Sequence, residues 1–446
     1  MNARQSALPL HELIVPASPE SMPYLIAAEP INTNAAPEAA PPDAKTSSPE
    51  ALAAHFRPIF ARIAERAAER EHNRELPFDA VGWLRDARFG ALRVPVEQGG
   101  FGASVEQLFA LLIELAEADS NLPNIFRAHF GQIERLYAEI DPALHAPWLQ
   151  RAAAGEIFGN ATTEIGDGAL GKPATRISRE DGVLRLNGTK YYSSGSLYAD
   201  WIAVSAQLQR DDGGEQPVIA LIRSDAPGVE RIDDWNGFGQ RLTGSGTTRL
   251  TDVAVDPGSI WPCARSGPTP MTAFFQLVHL ATLTGIARAI ERDACAYVRP
   301  RKRVFSHGSG TLPRADPLIQ QVVGQLASTA YLASATVGAV AAKLGDIDRL
   351  RQRGEAIPES LLVDVELAAA KAQVGLVDAV LTSTTRLFDV GGATAVQEDR
   401  RLDRHWRNAR TLASHNPVIF KARVVGDHAI NGTTPGFYWT VGAVNG

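Results

Sequence analysis

The chain has few cysteines and no excess of basic residues. Two cysteines, Cys263 and Cys295, occur in 446 residues, which excludes a disulfide framework. No CxxC pair or Cys/His cluster suggests zinc, so we expect no metal site and a reducing, cytoplasmic location. The net charge of -6 provides no basic footprint for nucleic acid, which we therefore do not expect as a partner.

Long apolar runs and a nucleotide-binding fingerprint are also missing from the sequence. Pro9, His11 and Glu12 interrupt the first apolar stretch, which argues against a secretory signal. No later segment is predicted to span a bilayer, so we expect no membrane partner. The glycine-rich runs lie in turns and not between a strand and a helix, which argues against an NAD(P)H-binding GxGxxG unit.

Residues 1–49 differ in composition from the rest of the chain. Nine prolines are spread among Ala, Ser, Asn and Glu, leaving no stretch able to sustain a helix or bury a core. We predict a disordered Pro/Ala-rich tail over 1–49. The composition of the whole chain, 45% hydrophobic and 21% charged, is that of a soluble protein with sizeable cores.

Helical spacing characterises the block after the tail. Apolar residues recur at turn spacing from Pro49, and an extended stretch from Gly90 is followed by a glycine-rich turn. Ser104 is predicted to cap a helix. The apolar stripe of that helix comprises Val105, Leu108, Phe109, Leu112 and Leu115. We predict an N-terminal helical domain over 50–155.

The spacing of apolar residues then changes from helical to a period of two, and later returns to helical spacing. Residues 182–192 read as a strand running into an Asn187-Gly188 turn, and 201–206 and 218–222 as further strands. After Pro270 three long helical patterns follow. Their ranges are 274–297, 318–344 and 359–390. We predict an α+β fold in which a small central β domain (156–262) precedes a C-terminal four-helix bundle (263–446).

Four segments resemble a known family when they are taken together. They are Gly159–Glu164, Asn187–Gly195, Asp233–Arg241 and His405–Pro417. They resemble the acyl-CoA dehydrogenase superfamily, and within it the reduced-flavin-dependent monooxygenase branch typified by dibenzothiophene monooxygenase and sulfur-acquisition oxygenases. The resemblance covers nearly everything after residue 50, and it implies an acyl-CoA dehydrogenase-like fold.

The last of these segments departs from the dehydrogenases at its most important position. Where they place a glutamate that removes the substrate's alpha proton, this sequence has Asn416, an amide with no usable basicity. It is preceded by His415, which is able to donate or accept a proton near neutral pH. The scaffold is therefore predicted to be retained and its chemistry changed.

The resemblance implies catalytic roles for three residues. In this branch reduced FMN and oxygen form a C4a-hydroperoxide, which must be shielded and hydrogen-bonded before it transfers oxygen. Ser194 would hold N5 or the peroxide, Asn160 would bridge peroxide and substrate, and His415 would donate a proton. The alternatives are that Ser194 and Asn160 are turn residues and that His415 caps or packs a helix.

The resemblance also implies a flavin site shared between subunits of a homotetramer. Thr162 and Thr163 would contact the pyrimidine edge, Trp235 would stack near the ring, and Arg303 would bind the phosphate. The Gly391-Gly392 pair would let a neighbouring subunit's backbone approach the flavin. The alternatives are a solvated helix end for Arg303 and a plain helix end for the glycines.

Two further residues, His129 and Asn416, are predicted to line the substrate pocket. The function implied is a two-component monooxygenase that receives reduced FMN, with FAD as the alternative, from a separate NAD(P)H:flavin reductase and oxygenates sulfur in an organosulfur compound. An amine N-hydroxylase or aromatic hydroxylase of the same branch is the alternative. An acyl-CoA dehydrogenase and a non-enzymatic binding module rank behind both.

Overall fold

The computed structural model describes residues 48–139, 142–165, 174–263 and 267–438. A helical block, a mixed β-sheet and a second helical block follow one another along the chain. This is the predicted acyl-CoA dehydrogenase-like order, and the fold class is confirmed. The predicted tail over 1–49 lies outside the described residues except at its last two positions.

Five helices form the first block. They are α1 (Pro49–Asn73), α2 (Phe78–Asp86), α3 (Val105–Ala118), α4 (Leu122–Glu139) and α5 (Pro142–Ala153). The Ser104 side chain accepts from the Gln107 N–H, and the Gln107 side chain accepts from the Ser104 N–H, which makes a capping box at the start of α3. The predicted apolar stripe of α3 is buried throughout.

The segment before α3 is not the extended stretch that the sequence suggested. It contains two short 3-10 turns, Phe89–Ala91 and Val96–Gln98. Gly99 and Gly102 adopt positive φ angles of 89° and 58°, which allow the chain to fold back on itself. The returning residues then donate backbone hydrogen bonds to the carbonyls of residues 91, 92 and 94. A compact loop therefore replaces the strand.

The central block is one mixed sheet of eight strands among the described residues. The strands are β1 (Phe158–Ala161), β2 (Arg176–Glu180), β3 (Val183–Lys190), β4 (Trp201–Gln209), β5 (Glu215–Arg223), β6 (Val229–Ile232), β7 (Thr247–Val255) and β8 (Ile260–Pro262). Their order is β6-β7-β3-β2-β4-β5-β8. β1 pairs in parallel with the first half of β4, and β2 pairs in parallel with its end.

The predicted Asn187-Gly188 turn was wrong. Both residues lie inside β3, which is paired on one side with β2 and on the other with β7. The register shifts between Leu186 and Gly188, and Gly188 has a φ of 156°. The Asn-Gly pair therefore forms a bulge within the ladder instead of a hairpin. The chain turns after Lys190 instead, and that turn carries Ser194.

The sheet is buried on both faces near its centre. Ala203, Ile219 and Leu221 pack into the large core shared with both helical blocks. The alternating neighbours Ile202 and Val204 pack into a second core on the opposite face. This explains the unbroken apolar run of β5, since a strand covered on both faces needs no polar alternation. The sheet is thereby fixed against the helices that complete the site.

Five helices form the last block. They are α6 (Met271–Val298), α7 (Pro317–Gln352), α8 (Glu359–Arg386), α9 (Asp403–His415) and α10 (Val418–Asn431). Helices α6, α7 and α8 pack on one another, while α9 and α10 pack against α8. The Asn416-Pro417 pair separates α9 from α10, because proline cannot continue the α9 hydrogen-bond ladder. The chain break falls beside the predicted catalytic His415.

Helix α6 is the most apolar element of the second block. By length and composition it is long and apolar enough to cross a membrane, contrary to the expectation that no segment would be. Its apolar window is 89% buried against neighbouring helices. The apolar character of α6 is therefore accounted for by its place in the core.

Candidate active site

Ser194 belongs to a chain of hydroxyl groups in the turn after β3. Its Oγ lies 2.5 Å from Ser245 Oγ, which lies 2.6 Å from Thr243 Oγ1. Thr243 Oγ1 donates in turn to the Gln240 carbonyl at 2.9 Å. The Ser194 side chain is half-buried. Its hydroxyl is therefore oriented by partners from the loop before β7, while part of its surface stays open.

Asn160, Thr162 and Thr163 lie beside this turn. Asn160 is in β1, and its backbone carbonyl accepts a hydrogen bond from Ser196 Oγ at 2.9 Å. Thr163 forms an isolated antiparallel bridge with Tyr191, whose N–H donates to the Thr163 carbonyl. All three predicted side chains are half-buried. Within the described residues their polar ends make no hydrogen bond and remain free to bind a ligand.

A buried ion pair anchors this segment to the sheet. Lys190 is fully buried, and its Nζ lies 2.6 Å from Glu164 Oε1. Burial alone would raise the pKa of Glu164, but hydrogen bonds from Lys190, Thr175 and the Ala174 N–H lower that pKa below its ordinary value. Lys190 also contacts Ser205 Oγ. These contacts fix the backbone on which Thr162 and Thr163 stand.

Two aromatic rings border the same edge. Trp235 is half-buried and stands edge-to-face with Tyr192, with ring centroids 6.0 Å apart. The Trp235 indole N–H donates to the Gly239 carbonyl, and Arg74, the residue after α1, holds the loop through a bidentate pair with Asp233. Tyr192 is 52% exposed. An aromatic surface is thus presented next to Ser194.

We call this group of residues the sheet-edge cluster. It comprises Asn160, Thr162, Thr163, Tyr192, Ser194, Trp235 and Ser245. The structure thus brings together five of the predicted site residues, from three separate stretches of the chain. Their surroundings are neutral, hydroxyl-rich and aromatic.

A second group of polar residues lies where α9 meets α6 and α8. His415, the last residue of α9, packs its ring against that of His279 on α6, with centroids 4.4 Å apart. The Asn416 side-chain amide donates to Gln276 Oε1 at 2.7 Å. Gln373 on α8 donates to the Asn416 carbonyl at 2.7 Å. Asn416 is thereby held as an amide at the position predicted for a dehydrogenase base.

Arg127 on α4 completes this group. Its Nε donates to the Phe275 carbonyl at 3.1 Å, and its guanidinium carbon lies 4.8 Å from the Phe275 ring centroid. Across the described ranges, no carboxylate pairs with it. We call Arg127, Gln276, His279, Gln373, His415 and Asn416 the helical cluster.

The imidazoles of the helical cluster are neutral at pH 7. Burial, together with the charge of Arg127, lowers the pKa of His279 well below its ordinary 6.5. Desolvation and Arg127 also lower the pKa of His415, and the hydrogen bond with Asn416 offsets part of this shift. Neutral His415 is a hydrogen-bond donor and acceptor, and its role as a proton donor stays a prediction.

The two clusters adjoin through α4. A side chain added at Gly195, whose φ is 81°, would lie 2.4 Å from the carbonyl oxygen of Ile125. The turn that carries Ser194 therefore packs directly on the start of α4, two residues before Arg127. Helix α4 therefore connects the turn of Ser194 with the helical cluster.

His129 does not line an open site, contrary to its predicted role in the substrate pocket. It is fully buried, with its Nε2 2.9 Å from the Gly90 carbonyl and its Nδ1 accepting from the Phe158 N–H at 3.1 Å. Burial lowers the pKa of His129 to about 4. Both nitrogens are used by backbone groups, so the neutral ring joins α4 to β1.

The remaining predicted cofactor residues lie at the end of α6. Arg303 is exposed in the loop after that helix, and not on a helix as expected. Arg301 instead turns inward and donates to the Val390 carbonyl. Gly391 packs closely on Tyr297, whose hydroxyl lies 2.7 Å from Thr394 Oγ1. The contacts of this group do not include the sheet-edge cluster of the same chain.

The His405–Asn408 part of the last motif has a structural role. His405 is buried 2.8 Å from Asp293, and Arg407 pairs with buried Glu71 on α1. The Asn408 side chain accepts from the Gln240 N–H at 2.6 Å. The motif therefore ties α9 to the first helical block and to the sheet.

Two small, partly open pockets lie away from both clusters. One of about 30 Å³ is lined by α1, α3, α6 and α9, and one of about 20 Å³ by α3, α4, α6 and α7. Each accommodates roughly one water molecule. Neither contains a predicted site residue.

The sequence interpretation missed several residues of the site. Arg127 and His279 were not assigned, nor were Tyr192 and Ser245. His279 had one visible signal, since it interrupts an otherwise apolar helix. Such a histidine is more often a core residue, and only its unpaired ring nitrogens distinguish it.

Comparison with known proteins identifies the family. The chain matches the N-terminal, middle and C-terminal domains described as acyl-CoA dehydrogenase, over residues 46–156, 159–253 and 277–419. It is 28% identical over 392 residues to a probable FMNH2-dependent monooxygenase, SfnC, of Pseudomonas putida, covering 87% of this chain and 96% of the relative.

Two solved structures are similar along nearly their whole length. FMN-bound TdsC of Paenibacillus sp. A11-2, a dibenzothiophene monooxygenase, has a TM-score of 0.79 and 28% identity, covering 86% of this chain and 98% of its own. Methanesulfinate monooxygenase MsuC of Pseudomonas fluorescens has a TM-score of 0.78 and 27% identity, covering 87% and 98%. With its three domain matches, the chain belongs to the acyl-CoA dehydrogenase family.

Proposed function

We propose that this protein is a two-component monooxygenase that uses reduced FMN and oxygen to oxygenate sulfur in an organosulfur compound. The observation that carries the proposal is the pairing of a hydroxyl-rich sheet edge with a helical cluster that has Asn416 where a dehydrogenase needs a base. Relatives that act on reduced FMN and on sulfur compounds support it.

The sheet-edge cluster fits a flavin. Half-buried Asn160, Thr162 and Thr163 have free polar ends for the edge of the ring, and Trp235 with Tyr192 gives an aromatic border. Ser194, whose hydroxyl is held by Ser245, would hydrogen-bond a ring nitrogen. When bound, reduced FMN supplies the electrons that activate oxygen. FMN is favoured over FAD because relatives are FMNH2-dependent or FMN-bound.

The helical cluster would receive the substrate. His415 and Asn160 would hold the substrate and the activated oxygen by hydrogen bonds, and the surrounding helices would exclude water. Asn416 would orient rather than react, because its amide is already bonded to Gln276. This division leaves the protein with positioning and hydrogen bonding as its main contributions to catalysis.

The assembly we propose is a homotetramer with a shared flavin site. Large apolar side chains are exposed on α7 and α10 of the single chain. They are Leu318, Tyr331, Leu332, Ile419, Phe420 and Ile430. Burying them against other copies would remove a sizeable apolar surface from water. Arg303 and the Gly391-Gly392 pair would then contribute to the flavin site of a neighbouring subunit.

A separate NAD(P)H:flavin reductase completes the proposed system, and we place both proteins in the cytoplasm. The test mixes the protein and reduced FMN with oxygenated buffer and follows oxygen and flavin absorbance. A delay before oxidised flavin appears, compared with free FMN, supports the proposal. Immediate oxidation identical to that of free FMN would contradict it.

The competing functions give different results in the same preparation. A dehydrogenase would retain yellow FAD during purification and reduce an electron acceptor with acyl-CoA. The Glu366 carboxylate on α8 is a poor candidate base, because it pairs with Lys421 and accepts from Thr272. An amine or aromatic hydroxylase would show the same flavin delay and would oxygenate nitrogen or carbon instead of sulfur.

A further inference from the structure

The helical cluster has more donor capacity than its own residues use. His279 is 1% exposed, yet neither of its ring nitrogens is hydrogen-bonded within the described part of the chain. Arg127 uses only its Nε, which donates a hydrogen bond to the Phe275 carbonyl. Buried polar groups are normally paired, because an unpaired one costs free energy. The cluster is therefore incomplete as the single chain builds it.

The helical cluster carries a positive charge that its own residues do not compensate. The groups that meet here come from four helices: Arg127 from α4, Gln276 and His279 from α6, Gln373 from α8, and His415 with its neighbour Asn416 at the end of α9. None of these is acidic. Burial lowers the pKa of Arg127 to about 10, so it stays charged at neutral pH without a carboxylate to compensate. An anion is the missing partner that this set of groups favours.

The shape of the donors narrows the choice of anion. A guanidinium presents parallel N–H groups that match two oxygens on one atom. A neutral heteroaromatic compound would leave Arg127 and His279 unpaired, and sites with buried polar groups discriminate strongly against ligands that do so. The expected ligand therefore carries its negative charge on a small oxyanion.

We propose that the substrate is an organic sulfinate, and that Arg127 anchors its two oxygens with a hydrogen bond from His279. This deepens the proposed function and rests on it. The overall reaction would be RSO2⁻ + O2 + FMNH2 → RSO3⁻ + FMN + H2O. The sulfur lone pair forms the new S–O bond as the O–O bond breaks, and FMNH2 supplies the two electrons and two protons that convert the other oxygen atom to water.

A sulfinate suits this arrangement because its reacting atom is not its binding atom. The two oxygens carry the charge and accept hydrogen bonds, while the lone pair on sulfur remains available to an electrophilic oxygen. Arg127 is thus a specificity-determining residue. It would contact substrate in addition to the Phe275 carbonyl, and it lies on the helix whose start contacts the Ser194 turn.

The test compares Arg127→Gln, Arg127→Lys and His279→Gln with wild type. The matched control is Arg349→Gln, an arginine on the surface of α7 that pairs with Glu106 and Asp346. Methanesulfinate and dibenzothiophene are the probes. Calorimetry measures their binding to flavin-free protein and to protein with oxidised FMN, and steady-state assays with a reductase measure kcat and KM.

We expect Arg127→Gln to weaken methanesulfinate binding and to raise its KM by roughly 10- to 100-fold, the loss typical of a charge-assisted hydrogen bond. The kcat should change less, and FMN affinity should match wild type. Arg127→Lys should restore part of the affinity by keeping the charge. Arg349→Gln should behave as wild type.

Two results would overturn the sulfinate proposal. One is wild-type protein that binds no methanesulfinate while it oxygenates dibenzothiophene. The other is an Arg127→Gln variant, folded by its unfolding midpoint, whose affinity for methanesulfinate equals that of wild type. The function itself fails separately, if FMN does not bind or flavin oxidation shows no delay. In that event Arg127-dependent binding of methanesulfinate to flavin-free protein still supports the anion site.

Discussion

The sheet-edge cluster and the helical cluster are constructed in opposite ways. At the sheet edge the anchoring groups already have partners: Ser194 is bonded to Ser245, and Lys190 is paired with Glu164. In the helical cluster Arg127 has no carboxylate and His279 has no hydrogen bond among the described residues. The charges at the sheet edge are therefore compensated without a ligand, whereas the charge of the helical cluster is not.

This difference indicates which region serves a constant ligand and which a variable one. Paired hydroxyls and a buried ion pair hold a fixed geometry, as the positioning of a flavin ring requires. Unpaired donors such as Arg127 and His279 select a ligand by the hydrogen-bond acceptors and the charge that it supplies. Replacing one of these residues would change which ligand is preferred. The predictions below disturb one region at a time.

The largest effect is expected from His415→Ala. Loss of a hydrogen-bonding group at the reacting atoms should lower kcat by roughly 10²- to 10⁴-fold, while reduced-FMN affinity stays within a few fold. Product formation and equilibrium flavin binding measure the two quantities. His428→Ala, on α10, is the control. Unchanged turnover in His415→Ala would remove His415 from the site.

Lys190→Met should break the sheet-edge cluster and spare the helical one. It leaves the Glu164 carboxylate buried without its cation, which typically costs about 3–5 kcal/mol. We expect a lower unfolding midpoint and weaker FMN binding, with Arg127-dependent anion binding kept. Adding Glu164→Gln to Lys190→Met should recover part of the stability. No loss of stability in the single variant would show that the ion pair does not anchor this segment.

Acid should weaken the connection between the two regions at His129, which joins α4 to β1. In the unfolded chain the His129 imidazole takes up a proton as the pH falls through about 6.5. In the folded protein its pKa is about 4, so the ring is still neutral there. Stability contributed by the neutral ring is therefore complete above pH 6.5 and is lost as the pH falls towards 4. The loss is roughly 3 kcal/mol for this residue.

Unfolding midpoints across that pH range check this expectation. Other buried histidines contribute in the same direction, so the informative quantity is the difference between wild type and His129→Gln. The variant should be less stable at neutral pH, and its stability should fall less steeply on acidification. Parallel pH profiles would show that His129 does not couple protonation to unfolding.

The smallest effect is expected from Ser194→Ala, which removes one hydroxyl from a chain of three. FMN should still bind, but more oxygen should escape as hydrogen peroxide, by a few fold, a loss of about 1 kcal/mol. Peroxide formed per FMN oxidised is the measurement. Ser328→Ala on α7, whose hydroxyl bonds only to its own helix, is the control. A peroxide yield equal to wild type would make Ser194 a plain turn residue.

Local sequence patterns predicted the helices and strands well, but they predicted irregularities such as the bulge in β3 poorly. The Ser104 cap and the helical stripe of α3 depend on neighbours three or four residues away, so the sequence displays them directly. The Asn187-Gly188 pair was misread because the same dipeptide fits a hairpin and a bulge. Pairing of β3 with both β2 and β7 decides between them.

The site divides along the same line. Asn160, Thr162, Thr163, Ser194 and Trp235 were predictable because each stands in a recognisable segment, and the sheet then assembles those segments. Whether those residues and His415 act as predicted awaits the experiments above. The placement of His129 was not predictable, since only the packed structure places the Gly90 carbonyl and the Phe158 N–H at its two nitrogens.

By itself the sequence determined the order of helical and β blocks, the family resemblance, and the replacement of a catalytic carboxylate by Asn416. These are properties of composition, period and local motif. Only the tertiary structure decided that Arg127, His279 and His415 meet, and that Arg127 and His279 meet without acidic partners. Residues far apart in sequence meet only by packing, and whether a buried charge is compensated depends on every helix around it.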